Sequence, residues 1–142
     1  MKILLAVDGS KSSLRAVDEL IRLARAYRKK PTIELIAVHR PLPRLPRMKL
    51  VVGRNQIQDY YKDEGETMLA RAKRKLAAAG VPYRSHVLVG PIAETIVRRA
   101  QASGCDLIQV GSRGMGAIGA AVLGSVATKV LQLSRLPVLV AK

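Results

Sequence analysis

Short apolar runs alternate with helical periods from one end of the chain to the other. Segments 2–8 (KILLAVD), 32–39 (TIELIAVH), 83–89 (YRSHVLV), 106–111 (DLIQVG) and 137–141 (PVLVA) read as strands. ILLAV, LIAV and VLV are continuous rather than alternating, as expected of strands covered on both faces in a parallel sheet. YRSHVLV is more mixed and is expected at a sheet edge, with His86 a half-exposed strand residue rather than a ligand. Between the strands, apolar residues recur at three and four. Leu14, Val17, Leu20 or Ile21, Ala24 and Tyr27 mark a first helix behind a Ser-rich start that can cap it. Ile57, Tyr61, Met68, Ala72 and Leu76 mark a longer helix ending near Gly80. Ile92, Ile96, Val97 and Ala100 mark a third, with Pro91 near its first turn and Gly104 after its end. Val126, Val130 and Leu133 mark the last, closed off by Pro137.

The pattern β-α-β-α-β-α-β-α-β predicts an α/β fold of the Rossmann-like kind, an open five-stranded parallel sheet with helices on both faces. Right-handed crossovers leave few strand orders. If the first three strands wind one way and the last two the other, the order is 3-2-1-4-5. The crevice then opens between strands one and four, beyond their carboxyl ends, where ligands sit in open α/β sheets. The loops brought face to face there are VDGS after strand one and the glycine-rich stretch after strand four. Residues 40–56 (RPLPRLPRMKLVVGRNQ) break the pattern as a long loop rich in Pro and Arg. No repeat or linker divides residues 1–142, so one nucleotide-binding domain is expected.

The glycine stretch fits two phosphate patterns at once. Gly114, Gly116 and Gly119 satisfy G-x-G-x-x-G, but that fingerprint needs an acidic residue about 20 positions on, and no Asp or Glu follows Asp106. The P-loop pattern is absent too. The longer spacing, Gly111, Gly114 and then Gly124-Ser125, makes better physical sense. Residues without a Cβ let backbone N–H groups approach an anion. Gly124-Ser125 opens a helix, whose first-turn N–H groups and dipole favour negative charge. Two such corners suit a di- or triphosphate, and Arg113 between the first two glycines adds charge. The alternative is that the glycines serve tight packing of the last helix.

The spacing G-x2-G-x9-G-[ST] resembles the nucleotide-binding signature of the universal stress protein family. ILLAVDGS, GPIAETIVRRA, CDLIQVGSRG and LPVLVAK extend the likeness over the whole chain. The resemblance implies the strand order 3-2-1-4-5 and an ATP site, often with a divalent ion such as Mg2+. By that likeness Asp8 contacts the adenosine part and Val38 meets the adenine edge through its backbone. Gly111, Ser112, Arg113 and Gly114 surround ribose and phosphates, and Gly124, Ser125 and Val126 receive the phosphates. The family also implies a homodimer through the final strand. The expected role is regulatory, in stress response, through nucleotide-dependent partner interactions. Asp8 is the only carboxylate expected at the crevice and suits hydroxyl or amino donors; a helix N-cap is its other reading.

Composition refines this picture in two ways. Apolar residues make up 49% and charged ones 25%, as in globular chains. No apolar run approaches the roughly 20 residues of a membrane helix, nor do the first residues match a signal peptide. The single Cys105, just before an apolar strand, is expected to be a buried inert thiol. A cytoplasmic protein is therefore expected. The net charge of +15, from 25 Lys and Arg against 10 Asp and Glu, departs from the acidic or neutral character common in the family. Its simplest meaning is a solvated basic surface. A nucleic-acid site involving Arg40, Arg44 and Arg47 is the alternative, and scarce aromatic residues argue against stacking on unpaired bases. A slow phosphotransferase or ATPase, with self-phosphorylation at Ser125 or Thr128, is a further alternative. Rapid phosphoryl transfer needs a positioned base and metal ligands that the sequence does not offer.

Overall fold

The computed structural model describes residues 1–42, 54–114 and 123–142. Arg44, Arg47, Gly116 and Gly119 lie outside the described residues. Five strands alternate with four helices: β1 Lys2–Ala6, α1 Lys11–Ala24, β2 Thr32–His39, α2 Arg54–Ala78, β3 Tyr83–Val89, α3 Ile92–Ala102, β4 Leu107–Gly111, α4 Ser125–Leu133 and β5 Val138–Ala141. All pairings are parallel, in the order β3-β2-β1-β4-β5. The expected order and the edge position of YRSHVLV are both met.

The continuous apolar runs produce two cores, because alternate side chains of each central strand leave by opposite faces. Ile3, Leu5 and Val7 with Ile33, Leu35 and Ala37 pack against Leu14, Val17 and Leu20 of α1 and Leu69 and Leu76 of α2. Leu4, Ala6, Ile36 and Val38 pack against Ile96 and Val97 of α3 and Val130 of α4. Leu4 and Leu5 are wholly buried, each contributing roughly 1.5–3 kcal/mol of transfer free energy.

The helix periods run slightly past the helices themselves. Tyr27 lies beyond Ala24 and is 45% exposed, and Leu133 closes α4 with 43% of its surface in solvent. The loop expected over 40–56 is shorter at its end, since α2 already begins at Arg54. Gly80 sits at φ +61 just past α2, the left-handed stop that glycine accepts without strain. Gly65, inside α2, has a packing reason. A Cβ there would come within 2.3 Å of the Val87 side chain on β3, so the helix lies directly on the edge strand.

Candidate functional site

The sheet is notched at its carboxyl edge. β1 ends at Ala6, opposite Ile36 and Val110, whereas β2 continues to His39 and β4 to Gly111. A cavity of about 540 Å³ occupies the notch. Ala6 and Val7 line it from β1 and its exit, Val38 and His39 from β2, and Val110 and Gly111 from β4. Its remaining wall includes Asp8, Arg113, Gly114 and the first turn of α4, Ser125 to Ala127. It therefore opens at the β1/β4 switch point.

The exit from β1 sets Asp8. Gly9, at φ +80, turns the chain into Ser10, whose hydroxyl caps α1 by accepting the Ser13 N–H at 3.1 Å. Ser10, not Asp8, is the N-cap. Asp8 stands before the helix, with Oδ1 accepting the Ser10 N–H at 2.9 Å. Its Oδ2 lies where a Cβ on Gly114 would come within 2.9 Å. A side chain at Gly114 would thus press on the carboxylate. Asp8 is the one carboxylate among the residues lining the cavity.

Val38 presents main-chain groups to the notch. In a parallel ladder alternate residues direct their N–H and C=O to the same neighbour. The Ile36 carbonyl accepts the Val7 N–H at 2.9 Å, and the His39 carbonyl, on the other side, accepts the Gly90 N–H at 2.8 Å. Val38 therefore faces the β1 side, one step beyond the end of β1.

The glycines work differently from the simplest phosphate-loop expectation. A Cβ on Gly111 would lie 2.8 Å from the carbonyl carbon of Ser12, so this glycine admits the first turn of α1 rather than an anion. Ser112 is buried away from the cavity lining, its hydroxyl 3.3 Å from that of Ser12. The Ser12 hydroxyl also accepts the Arg113 N–H at 3.1 Å. The Gly124 N–H donates to the Ser112 carbonyl at 2.8 Å and is therefore not free for phosphate. A Cβ on Gly124 would stand 3.2 Å from the Arg113 Cα. The two halves of the glycine spacing are thus stitched together, and the helix start that lines the cavity begins one residue on, at Ser125, Val126 and Ala127. Among the described residues no side chain caps this helix start.

Several lining residues escaped the sequence. Ile92 and Ile96 of α3 and Met68 of α2 supply apolar wall, and Arg40 supplies a second cation beside Arg113. Arg40, one of the three arginines of the alternative nucleic-acid reading, follows the end of β2 and lines the crevice; Arg44 and Arg47 lie outside the described residues. His39 is 8% exposed and stacks obliquely with Tyr61, ring centroids 5.7 Å apart. Among the described residues no three His, Cys, Asp or Glu side chains group as metal ligands.

The sequence profile of the Universal stress protein family matches residues 1–142. The chain belongs to that family. Universal stress protein YxiE of Bacillus subtilis is 34% identical, the match covering 99% of this chain and 98% of that protein. The structure of MJ0577 from Methanocaldococcus jannaschii superposes with a TM-score of 0.82 at 27% identity, covering 99% of this chain and 94% of that one. A universal stress protein in complex with cAMP superposes with a TM-score of 0.66 at 27% identity, over 99% and 95% of the two chains. No helix among the described residues is long and apolar enough to cross a membrane.

Proposed function

We propose that this chain is an ATP-binding regulatory member of the universal stress protein family, acting through nucleotide-dependent contacts with partners. The observation that carries this is the notch itself. One carboxylate, one stretch of open strand backbone and one uncapped helix start converge on a single cavity. Apolar Val38, Ile92 and Ile96 suit a base, Asp8 suits sugar hydroxyls, and the start of α4 with Arg113 and Arg40 suits phosphates. The relative in complex with cAMP supports an adenine nucleotide as the ligand class. Mg2+ would accompany the phosphates rather than occupy a protein cage.

The groups present favour binding over turnover, because Asp8 is the one carboxylate lining the cavity and is already tied to the α1 turn. A homodimer through β5 is part of the same proposal, since Val138–Ala141 is an edge strand whose outer side is unpaired in the sheet. A cytoplasmic setting accords with the free, buried Cys105, whose thiol burial pushes above its ordinary value.

Isothermal titration with ATP, ADP, AMP and cAMP, each with and without magnesium, tests the reading. Micromolar or tighter binding of at least one adenine nucleotide is expected. Affinity no better than millimolar for all four would overturn it.

A further inference from the structure

Among the described residues, two runs of unbalanced positive charge lie at the pole opposite the crevice. Parallel strands send α1 and α2 back antiparallel to the sheet, so both helices end near the strands' amino ends. Residues 22–30 hold Arg22, Arg25, Arg28, Lys29 and Lys30, and residues 71–75 hold Arg71, Lys73, Arg74 and Lys75, without one acid in either stretch. Two contacts join these segments, roughly 45 residues apart in sequence, into one surface. Lys75 Nζ meets Asp18 Oδ1 at 2.6 Å, and Lys30 Nζ donates to the carbonyls of Ala79 and Gly80 at 3.0 Å each.

Local structure accounts for some of these cations. Arg22 pairs with Glu19, Lys73 with Glu66 and Lys75 with Asp18, while Lys30 closes the end of α2. Arg25, Arg28, Lys29, Arg71 and Arg74 are left over. All five are exposed, and among the described residues none has a carboxylate partner. Arg28 and Lys29 lie beyond the last residue of α1, further than stabilising a helix terminus requires. Keeping five like charges together without counter-ions costs self-repulsion, which a polyanion would relieve.

We infer that the joined ends of α1 and α2 form a docking surface for double-stranded nucleic acid, contacted at its phosphate backbone. Four of the five are arginines, whose planar fork matches phosphate oxygens. The chain has no Phe or Trp and four Tyr, too few to stack a run of unpaired bases, which disfavours a single strand. A membrane surface is disfavoured because, within 22–30 and 71–75, Tyr27 is the one large exposed apolar side chain, giving little to insert.

Fluorescence anisotropy with a labelled duplex of about 25 base pairs, in nucleotide-free buffer over a salt series, tests this. Five phosphate contacts predict log affinity falling against log salt with a slope of about −4.5. Arg25→Glu, Arg28→Glu and Arg74→Glu together should weaken binding at least tenfold and reduce the slope magnitude by about 3. Three charge reversals toward the opposite pole, at the exposed Arg15→Glu, Lys62→Glu and Lys142→Glu, should leave both within twofold. Should the first triple variant misfold by circular dichroism, single Arg25→Gln and Arg74→Gln variants should each lower the slope magnitude by about 1. Equal losses in the two triple variants would overturn the inference, leaving net charge alone. So would tight binding to phosphatidylserine vesicles with no duplex binding. Because the surface is remote from the crevice, nucleotide affinity of the variants should stay unchanged; this separates failure here from failure of the nucleotide proposal.

Discussion

Two carboxylates, one on β2 and one just beyond β1, meet opposite treatment at the two ends of the sheet. Near its amino end, Glu34 of β2 is 2% exposed and surrounded by side chains from other elements. Arg99 donates to Oε1 from Nε at 2.9 Å and also from Nη2; His86 Nε2 lies at 3.0 Å, Ser103 Oγ at 3.4 Å, and Lys2 Nζ at 3.5 Å from Oε2. At the carboxyl end, Asp8 borders a cavity and has glycine as its neighbour. Burial by itself pushes the Glu34 carboxyl up. The hydrogen bond and charge of Arg99, aided by His86 and Lys2, outweigh it and hold the group below the usual carboxylate range. One end of the sheet is closed by side chains that satisfy one another. The other is left open by their removal.

If this division is right, substitutions at the two ends should separate stability from binding. Glu34→Ala removes the buried partner of the part-exposed Arg99 and should cost about 1–3 kcal/mol in urea unfolding, while the folded fraction binds nucleotide as before. The same pair sets the acid limb. A lowered native value means Glu34 contributes fully above its unfolded value of about 4.3, and the contribution fades as pH falls through the native one. Glu34→Gln should flatten that limb in a pH series of unfolding curves.

Gly111→Ala sharpens the comparison from the other end, because its Cβ would meet backbone of α1 rather than a movable side chain. About 1–3 kcal/mol of stability should be lost, together with nucleotide affinity, since Ser12 and Arg113 must shift. Asp8→Asn keeps an oxygen for the Ser10 N–H, so stability should stay within about 0.5 kcal/mol. Nucleotide titration should nevertheless weaken at least tenfold, about 1.4 kcal/mol. An Asp8 variant that unfolds but binds normally would break the division outright. The smallest effect is expected at Asp18→Asn, which removes the exposed pair with Lys75 and should cost less than about 1 kcal/mol.

What the sequence disclosed follows the same division. Strand order was legible because continuous apolar runs and crossover handedness restrict it severely. The polar part of the crevice was legible because much of it comes from two contiguous segments, AVDGS and the stretch opening at Gly111, whereas the apolar wall from Met68, Ile92 and Ile96 was not. The Glu34 cluster was not, since Lys2, Glu34, His86 and Arg99 share no spacing and meet through three strands and a helix. His86 was expected to be a half-exposed strand residue, and its position agrees, but its ion pair leaves no mark in YRSHVLV. The stitching of Gly124 to Ser112 was hidden for a related reason. A glycine shows that something comes close; it does not say whether the visitor is a ligand or the protein's own chain.

β2 outlasting β1 has a consequence for how this site tolerates change over generations. Whatever enters the notch beside Val38 encounters peptide groups, which every residue type but one carries in full. The side chain there can change within what the core against α3 and α4 accepts without altering those peptide groups, and proline alone would erase the donor. Selectivity written into the main chain in this way leaves little trace for letter-by-letter comparison to detect.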